Sequence, residues 1–228
     1  MVSVFAGLNS FIRSAKRKDH ARQLSGASQR CQLVVERLEE RCVPSTGIEE
    51  FGGLTASSAP LNITLGPDGN LWFTEQFANK IGRLNPASNT VTEFDVPTPG
   101  SGPQGITVGP DGNLWFTEEF TNKIGRITTA GVITAADEFP IPTAASGVSD
   151  ITPGLNNDLW FTEHNANKIG HITTAGVITA ADEFPIPTAN SGPSGITVLP
   201  GRFGSSEVWF TETGASQIGR LKIGRAHV

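Results

Sequence analysis

From residue 47 onward, short apolar runs alternate with polar turns in a pattern that repeats four times. The run Leu71–Glu75 recurs at 114–118, 159–163 and, with valine first, 208–212. An isoleucine opens the segment before each run, at spacings of 43, 45 and 45 residues. A period of this length with four strand signals per unit predicts β-propeller blades.

Each unit is predicted to be a four-stranded antiparallel meander. In the second unit strand A is Ile106–Val108, B is Leu114–Thr117, C is Ile124–Thr128 and D is Val132–Phe139. Asp111-Gly112 between A and B tolerates the positive φ of a tight hairpin. The fold class is therefore all-β, with blades spanning residues 47–222.

The ends of the repeat region predict an open arc. Gly47–Phe51 resembles a strand D without its blade, and the fourth unit has a long A–B connection and stops at Lys222. Blades this short suit a seven-bladed ring better than a tight four-bladed one. We expect Gly47–Phe51 to extend an edge blade or lie near a gap.

Residues 1–46 form a separate N-terminal extension. Cys31, Val34, Val35, Leu38 and Cys42 have helical spacing, which predicts an amphipathic helix over 28–41. Such a helix holds the two cysteines ~16 Å apart, too far for a disulfide. The run Glu36–Ser45 resembles a segment at the start of many large bacterial surface proteins, and this resemblance implies export. The alternative interpretation is an ordinary helix before a linker. We expect surface or secreted localisation rather than cytoplasmic.

The last six residues, 223–228, form a different kind of segment. Ile-Gly-Arg-Ala-His-Val resembles the translation of a common sequencing-library adapter. We expect a non-native tail.

Charge and composition narrow the function classes. The chain has 228 residues, 17 basic and 22 acidic, with net charge −5. Residues 47–228 are acidic, which argues against nucleic acid because phosphates need a basic surface. No apolar run reaches the ~18 residues of a transmembrane helix. Two cysteines are too few for a disulfide framework or a cysteine-based zinc site.

The blade sequence resembles the virginiamycin B lyase (streptogramin lyase) family. The matching strings are Gly-Pro-Asp-Gly-Asn-Leu-Trp-Phe-Thr-Glu, Asn-Lys-Ile-Gly-Arg-Ile-Thr and Glu-Phe-Pro-Ile-Pro-Thr. The resemblance implies a seven-bladed propeller that opens a cyclic depsipeptide antibiotic by elimination. A histidine would remove the proton α to a carbonyl, and Mg²⁺ would stabilise the developing negative charge.

The family's catalytic positions carry other residue types here. The histidine position corresponds to Leu61, Gln104, Ser149 and Ser194, and the acidic position before the proline to Ala59, Gly102, Gly147 and Gly192. The acidic position of the B–C turn corresponds to Gln76, Glu119, His164 and Thr213. Only Glu119 has the expected type. We therefore expect the catalytic set in blades beyond these four, and this fragment to be inactive.

Topology predicts which residues share a candidate ligand face. Strand A crosses the blade and B returns, so the D–A and B–C loops lie together. The candidate residues on that face are Gln104, Glu119, Ser149, Asp150, His164 and Ser194. His164 is a repeat-breaking residue that is either solvated or catalytic, and Asp150 is either functional or a turn residue.

Residues present in every unit are expected to support the scaffold. The four glutamates that end strand B would cap the B–C turn or pair with Lys80, Lys123 or Lys168. The four tryptophans would pack between blades. His171 replaces the arginine of strand C and is expected to point outward.

Three function classes remain open on these residues. The first is a Mg²⁺-dependent streptogramin-type lyase acting on a small cyclic peptide. The second is a non-enzymatic surface propeller that binds a protein or carbohydrate, and the third is a sugar-lactonase-like hydrolase. We expect a monomer.

Overall fold

The computed structural model describes residues 47–201 and 206–224. The chain divides into two units, residues 1–48 and 49–228, and every described strand lies in the second. The predicted helix over 28–41 and most of the 223–228 tail lie outside the described residues.

Within the described residues fifteen strands form four sheets, which follow one another along the chain. The first blade contains β1 Pro60–Leu65, β2 Leu71–Glu75, β3 Lys80–Asn85 and β4 Thr90–Asp95. The second contains β5 Pro103–Val108, β6 Leu114–Glu118, β7 Lys123–Ile127 and β8 Glu138–Pro140. The third contains β9 Val148–Pro153, β10 Asp158–Glu163, β11 Lys168–Thr173 and β12 Glu183–Pro185. The fourth contains β13 Pro193–Pro200, β14 Ser206–Glu212 and β15 Gln217–Ile223.

Every blade is an antiparallel meander, as predicted. Strand order follows the chain in each sheet, and the fourth sheet has three strands among the described residues. The glycine of strand C lies opposite the phenylalanine of strand B, as Gly125 does opposite Phe116. A Cβ at Gly125 would overlap the Phe116 ring, so a side chain there would push the ring from the core.

In the part of the chain that the structure describes, the core consists of three apolar layers, one between each pair of neighbouring blades. In the first layer Trp72, Ile81 and Val96 of one blade pack against residues of the next, namely Ile106, Leu114, Phe116 and Ile127. The same arrangement recurs around Trp115 and around Trp160. The prediction that these tryptophans pack between blades is confirmed.

The outer strand differs from its predicted length in two blades. Val132–Phe139 was expected to be one strand, but the strand is only Glu138–Pro140, preceded by a 3₁₀ turn at Ala135–Asp137. The Thr134 backbone N–H and hydroxyl both donate to Asp137 Oδ2, which stabilises the turn. Blade one has Thr-Val-Thr at this place and keeps a six-residue strand, because β-branched residues favour strands while alanine and aspartate do not.

The arc is open at both ends. Ile63 of the first blade is 59% exposed, whereas its equivalents Ile106 and Ile151 are each 4% exposed. At the other end Ile218 is 66% exposed, whereas its equivalent Ile124 is 0% exposed. The expectation of an open arc rather than a closed four-bladed ring is thus confirmed.

Gly47–Phe51 is not a strand and does not extend an edge blade, so the first of its two expected positions is wrong. The second, near a gap, is confirmed, because Phe51 lines the groove at the open face of blade one. A strand needs a neighbour with free backbone groups. Blade one already has its four strands, β1 to β4, and among the described residues Gly47–Phe51 pairs with no strand. No described helix has the length and apolar character needed to cross a membrane.

Candidate functional site

The D–A and B–C loops are bound together on one face of the arc, as the topology predicts. Asn122, in the B–C turn, adopts φ 60° and its side-chain N–H groups donate to the carbonyls of Ile141 and Thr143. Its Oδ1 accepts from the backbone and hydroxyl of Ser146. Asn79 and Asn167 repeat this arrangement. Asparagine suits the turn because it tolerates left-handed backbone.

A threonine of strand B positions the start of each inner strand. Thr117 Oγ1 accepts from the Gly105 backbone N–H at 2.9 Å and donates to the Ser149 carbonyl at 2.7 Å in the next blade. Strand pairing is irregular at this point of β5, between Pro103 and Ile106. One hydroxyl therefore holds an irregular strand start and links two blades.

These strand starts enclose a polar cleft, here called the axial cleft. It has a volume of about 270 Å³ and receives residues from all four blades. The lining residues are Leu61, Asn62, Gln104, Gly105, Ser149, Asp150, Ser194 and Gly195. Four of the six predicted site residues, Gln104, Ser149, Asp150 and Ser194, thus lie together.

Asp150 is the charged group of the axial cleft. Its Oδ1 accepts from the Ile151 N–H at 2.9 Å, and its Oδ2 accepts from the Ile196 N–H at 3.2 Å in the next blade. Burial raises the pKa of Asp150, and the two N–H donors only partly offset this. Gln104 contributes a buried Oε1 without a hydrogen-bond partner among the described residues. The axial cleft therefore presents hydrogen-bond acceptors on the Asp150 and Gln104 side chains.

Glu119 and His164 lie in the B–C loops and do not line the axial cleft. Glu119 Oε2 accepts from Gln76 Nε2 at 2.9 Å. His164 is exposed, and its Nδ1 is 3.2 Å from Asn165 Oδ1. No described group of three or more histidine, cysteine, aspartate or glutamate side chains could hold a metal ion. The described residues therefore do not fit a Mg²⁺ site.

The glutamates that end strand B are buried. Glu75, Glu118 and Glu163 are each 0% exposed. Burial raises their pKa values, most for Glu163, to about 8, where the nearby Glu183 charge adds to the effect. For Glu75 and Glu118 the value is about 7. These carboxyls belong to the scaffold, and their raised pKa values bring their titration close to neutral pH.

The lysines do not pair with these buried glutamates, contrary to one of the predicted arrangements. Lys123 Nζ is 3.2 Å from Glu138 Oε2, and Lys168 Nζ is 3.0 Å from Glu183 Oε2, on the outer strands. Lys80 pairs with Asp95. Glu118 does bond to its turn, since Oε2 accepts from the Thr121 hydroxyl at 2.8 Å.

The outer-strand glutamates instead bind the loop that enters their own blade. Glu138 accepts from the Thr98 backbone N–H at 2.9 Å and from its hydroxyl at 2.6 Å. Glu183 accepts from Thr143 in the same way. Burial alone would raise the pKa of Glu183, but the Thr143 and Lys168 hydrogen bonds outweigh it and lower the value.

His171 does not point outward as predicted. Its ring lies 4.6 Å from the Trp160 ring, with Nε2 3.2 Å from Asp158 Oδ2 and Nδ1 3.5 Å from Asp182 Oδ1. It fills the place of Arg126, which lies over Trp115 and pairs with Asp137. Burial would lower the pKa of His171, yet the hydrogen bond and charge of Asp158 raise it.

Four lining residues were not among the predicted site residues, namely Leu61, Asn62, Gly105 and Gly195, and Asn62 is the one with a polar side chain. It occupies the repeat position that is Gly105, Asp150 and Gly195 in the other units. The sequence does contain a signal for Asn62, because Asn62 and Asp150 both stand at a repeat position that is glycine in the other two units. The two non-glycine residues at this position both reach the axial cleft.

Three solved lyase structures are similar to this chain. Virginiamycin B lyase from Staphylococcus aureus is 49% identical over 76% of this chain and 55% of that one, with a TM-score of 0.69. A catalytically inactive variant of that enzyme with quinupristin is 46% identical over 78% and 56%, with a TM-score of 0.70. A streptogramin B lyase is 42% identical over 80% and 60%, with a TM-score of 0.69. The chain thus spans little more than half of their length.

More distant structures share the fold alone. A gluconolactonase from Xanthomonas campestris is 12% identical, with a TM-score of 0.55. A comparison with curated proteins gave no significant match. The virginiamycin B lyase family model matches residues 36–226. On that match, and on its identity to the solved lyases, this chain of propeller blades belongs to the virginiamycin B lyase family.

Proposed function

We propose that these four blades are part of a lyase that opens a cyclic depsipeptide lactone by elimination. In that reaction a base removes the proton α to a carbonyl, the electron pair left behind forms a C=C bond to the neighbouring carbon, and the C–O bond on that carbon breaks to release a carboxylate. We further propose that the base and the Mg²⁺ ligands lie in blades other than these four.

One observation carries the second proposal. All four residues at the base position, Leu61, Gln104, Ser149 and Ser194, line the axial cleft, where a base could reach a bound substrate. None is basic near pH 7, although general-base catalysis needs a base within hydrogen-bond reach of the proton. Among the described residues that line the cleft the one carboxylate is Asp150, and it already accepts from two backbone N–H groups. The cleft would therefore contact the ligand rather than transform it.

The test is ring opening of a type B streptogramin by the purified 228-residue chain with Mg²⁺, followed by mass. We expect no turnover, while a virginiamycin B lyase run in parallel converts the substrate. Turnover that disappears in His164→Ala would place the base in the B–C loop and overturn the assignment. Turnover lost in Asp150→Asn but kept in His164→Ala would place the base in the axial cleft.

The alternative is a propeller that binds a protein or carbohydrate without catalysis, since a cleft lined by polar groups and lacking a base fits that role too. A longer form of the chain distinguishes the two. A Glu-Pro-His-Gly string before a later strand A, with a glutamate in the following B–C turn, supports the lyase. Further blades without a histidine there support the binding protein.

A further inference from the structure

A carboxyl buried inside blade three lacks the protein partner that its counterpart in blade two has. Glu163 is 0% exposed, and neither of its side-chain oxygens has a hydrogen-bond partner among the described residues. Apolar layers join blade three to blade two on one side and to blade four on the other, so this burial comes from blades on both sides. Buried polar groups are nearly always hydrogen-bonded, which indicates that Glu163 binds something other than a side chain.

The counterpart in blade two shows what kind of group fits beside the carboxyl. Glu118 Oε2 accepts from the Thr121 hydroxyl at 2.8 Å. The repeat position of Thr121 carries alanine in the other three blades, at Ala78, Ala166 and Ala215. Alanine has no hydroxyl, so this one position decides whether the B–C turn supplies a donor to the buried carboxyl.

The two B–C turns have the same geometry. In both blades the strand-B glutamate lies opposite the strand-C lysine, and the turn asparagines Asn122 and Asn167 have φ values of 60° and 59°. Ala166 therefore stands beside Glu163 as Thr121 stands beside its own glutamate. The place of the Thr121 hydroxyl is thus open to an oxygen of similar size in blade three.

The Ser146 hydroxyl is a second polar neighbour of that place. It lies near Glu163, but it donates its hydrogen to Asn122 Oδ1 at 2.8 Å. Its oxygen can still accept a hydrogen bond. A buried water needs two to four polar partners, and the two Glu163 oxygens and Ser146 Oγ provide three.

We propose that a buried water molecule binds between Glu163 and Ser146, at the place that the Thr121 hydroxyl occupies in blade two. The water hydrogen-bonds to the Glu163 carboxyl and donates to Ser146 Oγ. Ser146 leads into the strand start that carries Ser149 and Asp150, so the water ties strand B to the segment that positions these cleft residues.

Blade one contains a second copy of this site. Glu75 is 0% exposed, and both of its oxygens are likewise without a hydrogen-bond partner among the described residues. Ala78 stands at the position of Ala166, and Ser58 lies near the carboxyl as Ser146 does in blade three. The proposal therefore assigns one water to each of these two blades, and it does not rest on the proposed function.

The first test is a set of crystal structures of the 228-residue chain, Ala166→Thr and Thr121→Ala, at a resolution that shows ordered waters. In the parent chain we expect a water within about 2.5–3.2 Å of a Glu163 oxygen. Ala166→Thr should lose this water because the new hydroxyl replaces it, and Thr121→Ala should gain a water beside Glu118. A parent structure with no water in reach of Glu163, or with a metal ion there, would overturn the proposal, and so would a water retained in Ala166→Thr.

The second test separates the hydroxyl from the space that it fills. Ala166→Val has nearly the shape of Ala166→Thr but cannot hydrogen-bond, so it displaces the water and leaves Glu163 without a donor. We expect the unfolding equilibrium constant in urea to be about 10-fold higher for Ala166→Val than for Ala166→Thr. The matched control is the same pair of substitutions at Ala175, an exposed turn residue of blade three, where the two variants should agree. Equal stability of the valine and threonine variants at position 166 would contradict a hydrogen-bonding site beside Glu163.

Discussion

Replacing Glu163 by glutamine should change how the stability of the propeller depends on pH. Glu163 is 0% exposed, and neither carboxylate oxygen has a hydrogen-bond partner among the described residues. Burial, then the Glu183 charge, raises its pKa from 4.5 to about 8, and the Lys168 charge and the nearby Ser146 hydroxyl, which donates to Asn122 rather than to Glu163, offset this in part. The folded chain therefore holds a proton that the unfolded chain releases above about pH 4.5.

The direction follows from proton linkage. Between pH 4.5 and about 8 the folded state binds more protons at this site, so stability is full below that window and falls as pH rises through it. The difference in pKa corresponds to at most roughly 5 kcal/mol. Because local relaxation and water entry reduce this penalty, we expect about 3 kcal/mol. Because glutamine cannot ionise, Glu163→Gln removes this loss of stability with rising pH.

The assay is urea unfolding at pH 5, 7 and 9 for the parent chain, Glu163→Gln and the exposed control Glu49→Gln. At pH 5 we expect Glu163→Gln to match the parent, and at pH 9 to be more stable by about 3 kcal/mol. The control should follow the parent throughout. Equal destabilisation of Glu163→Gln at all three pH values would show that the carboxylate is ionised and bound in the folded state, which would refute the reasoning.

Three further predictions concern the scaffold. Asn122→Ala removes four hydrogen bonds between loops and should lower the free energy of unfolding in urea by about 2–3 kcal/mol. Asn89→Ala, at a similar φ on an exposed hairpin, should lower it by about 1 kcal/mol or less, and equal losses in the two variants would show that backbone conformation alone matters. Gly125→Ala should lower the free energy of unfolding by at least about 2 kcal/mol because it displaces the Phe116 ring, and near-neutral thermal unfolding would contradict the overlap. The pKa of His171 is raised in the folded state, so its ion pairs stabilise the fold fully below pH 6.5 and this stabilisation is lost as the pH rises through the raised pKa. His171→Arg should keep the stabilisation at pH 8. If the variant has the same pH profile of stability as the parent chain, this account of His171 is contradicted.

The repeat, its turns and its interfaces could be predicted because each is local or periodic. Asp111-Gly112 and the left-handed Asn122 fix tight turns within a few residues. Trp115 recurs once per unit, and a residue of that size in every blade has few places other than the blade interface. The sequence therefore determined the all-β fold, the order of the strands and the open arc.

Tertiary structure decided the partners of the charged groups. Lys123 lies beside Glu118 in the register of the B–C hairpin, yet it pairs with Glu138. Both carboxyls are buried, but their partners differ. Glu138 accepts hydrogen bonds from Thr98 and Lys123, whereas Glu118 accepts from the Thr121 hydroxyl in its own turn and burial raises its pKa to about 7. Hairpin register cannot show which hydrogen-bond donors the next loop brings to a carboxyl.

The composition of the axial cleft was likewise decided by the assembly of blades. Asn62, Gln104, Asp150 and Ser194 lie more than 40 residues apart in the chain, and each belongs to a different sheet. Threonine hydroxyls that bond to the next blade bring the strand starts together. Sequence determined which residues stand at each strand start, whereas only packing around the axis determined that they meet, because the contact is made between blades and not within one.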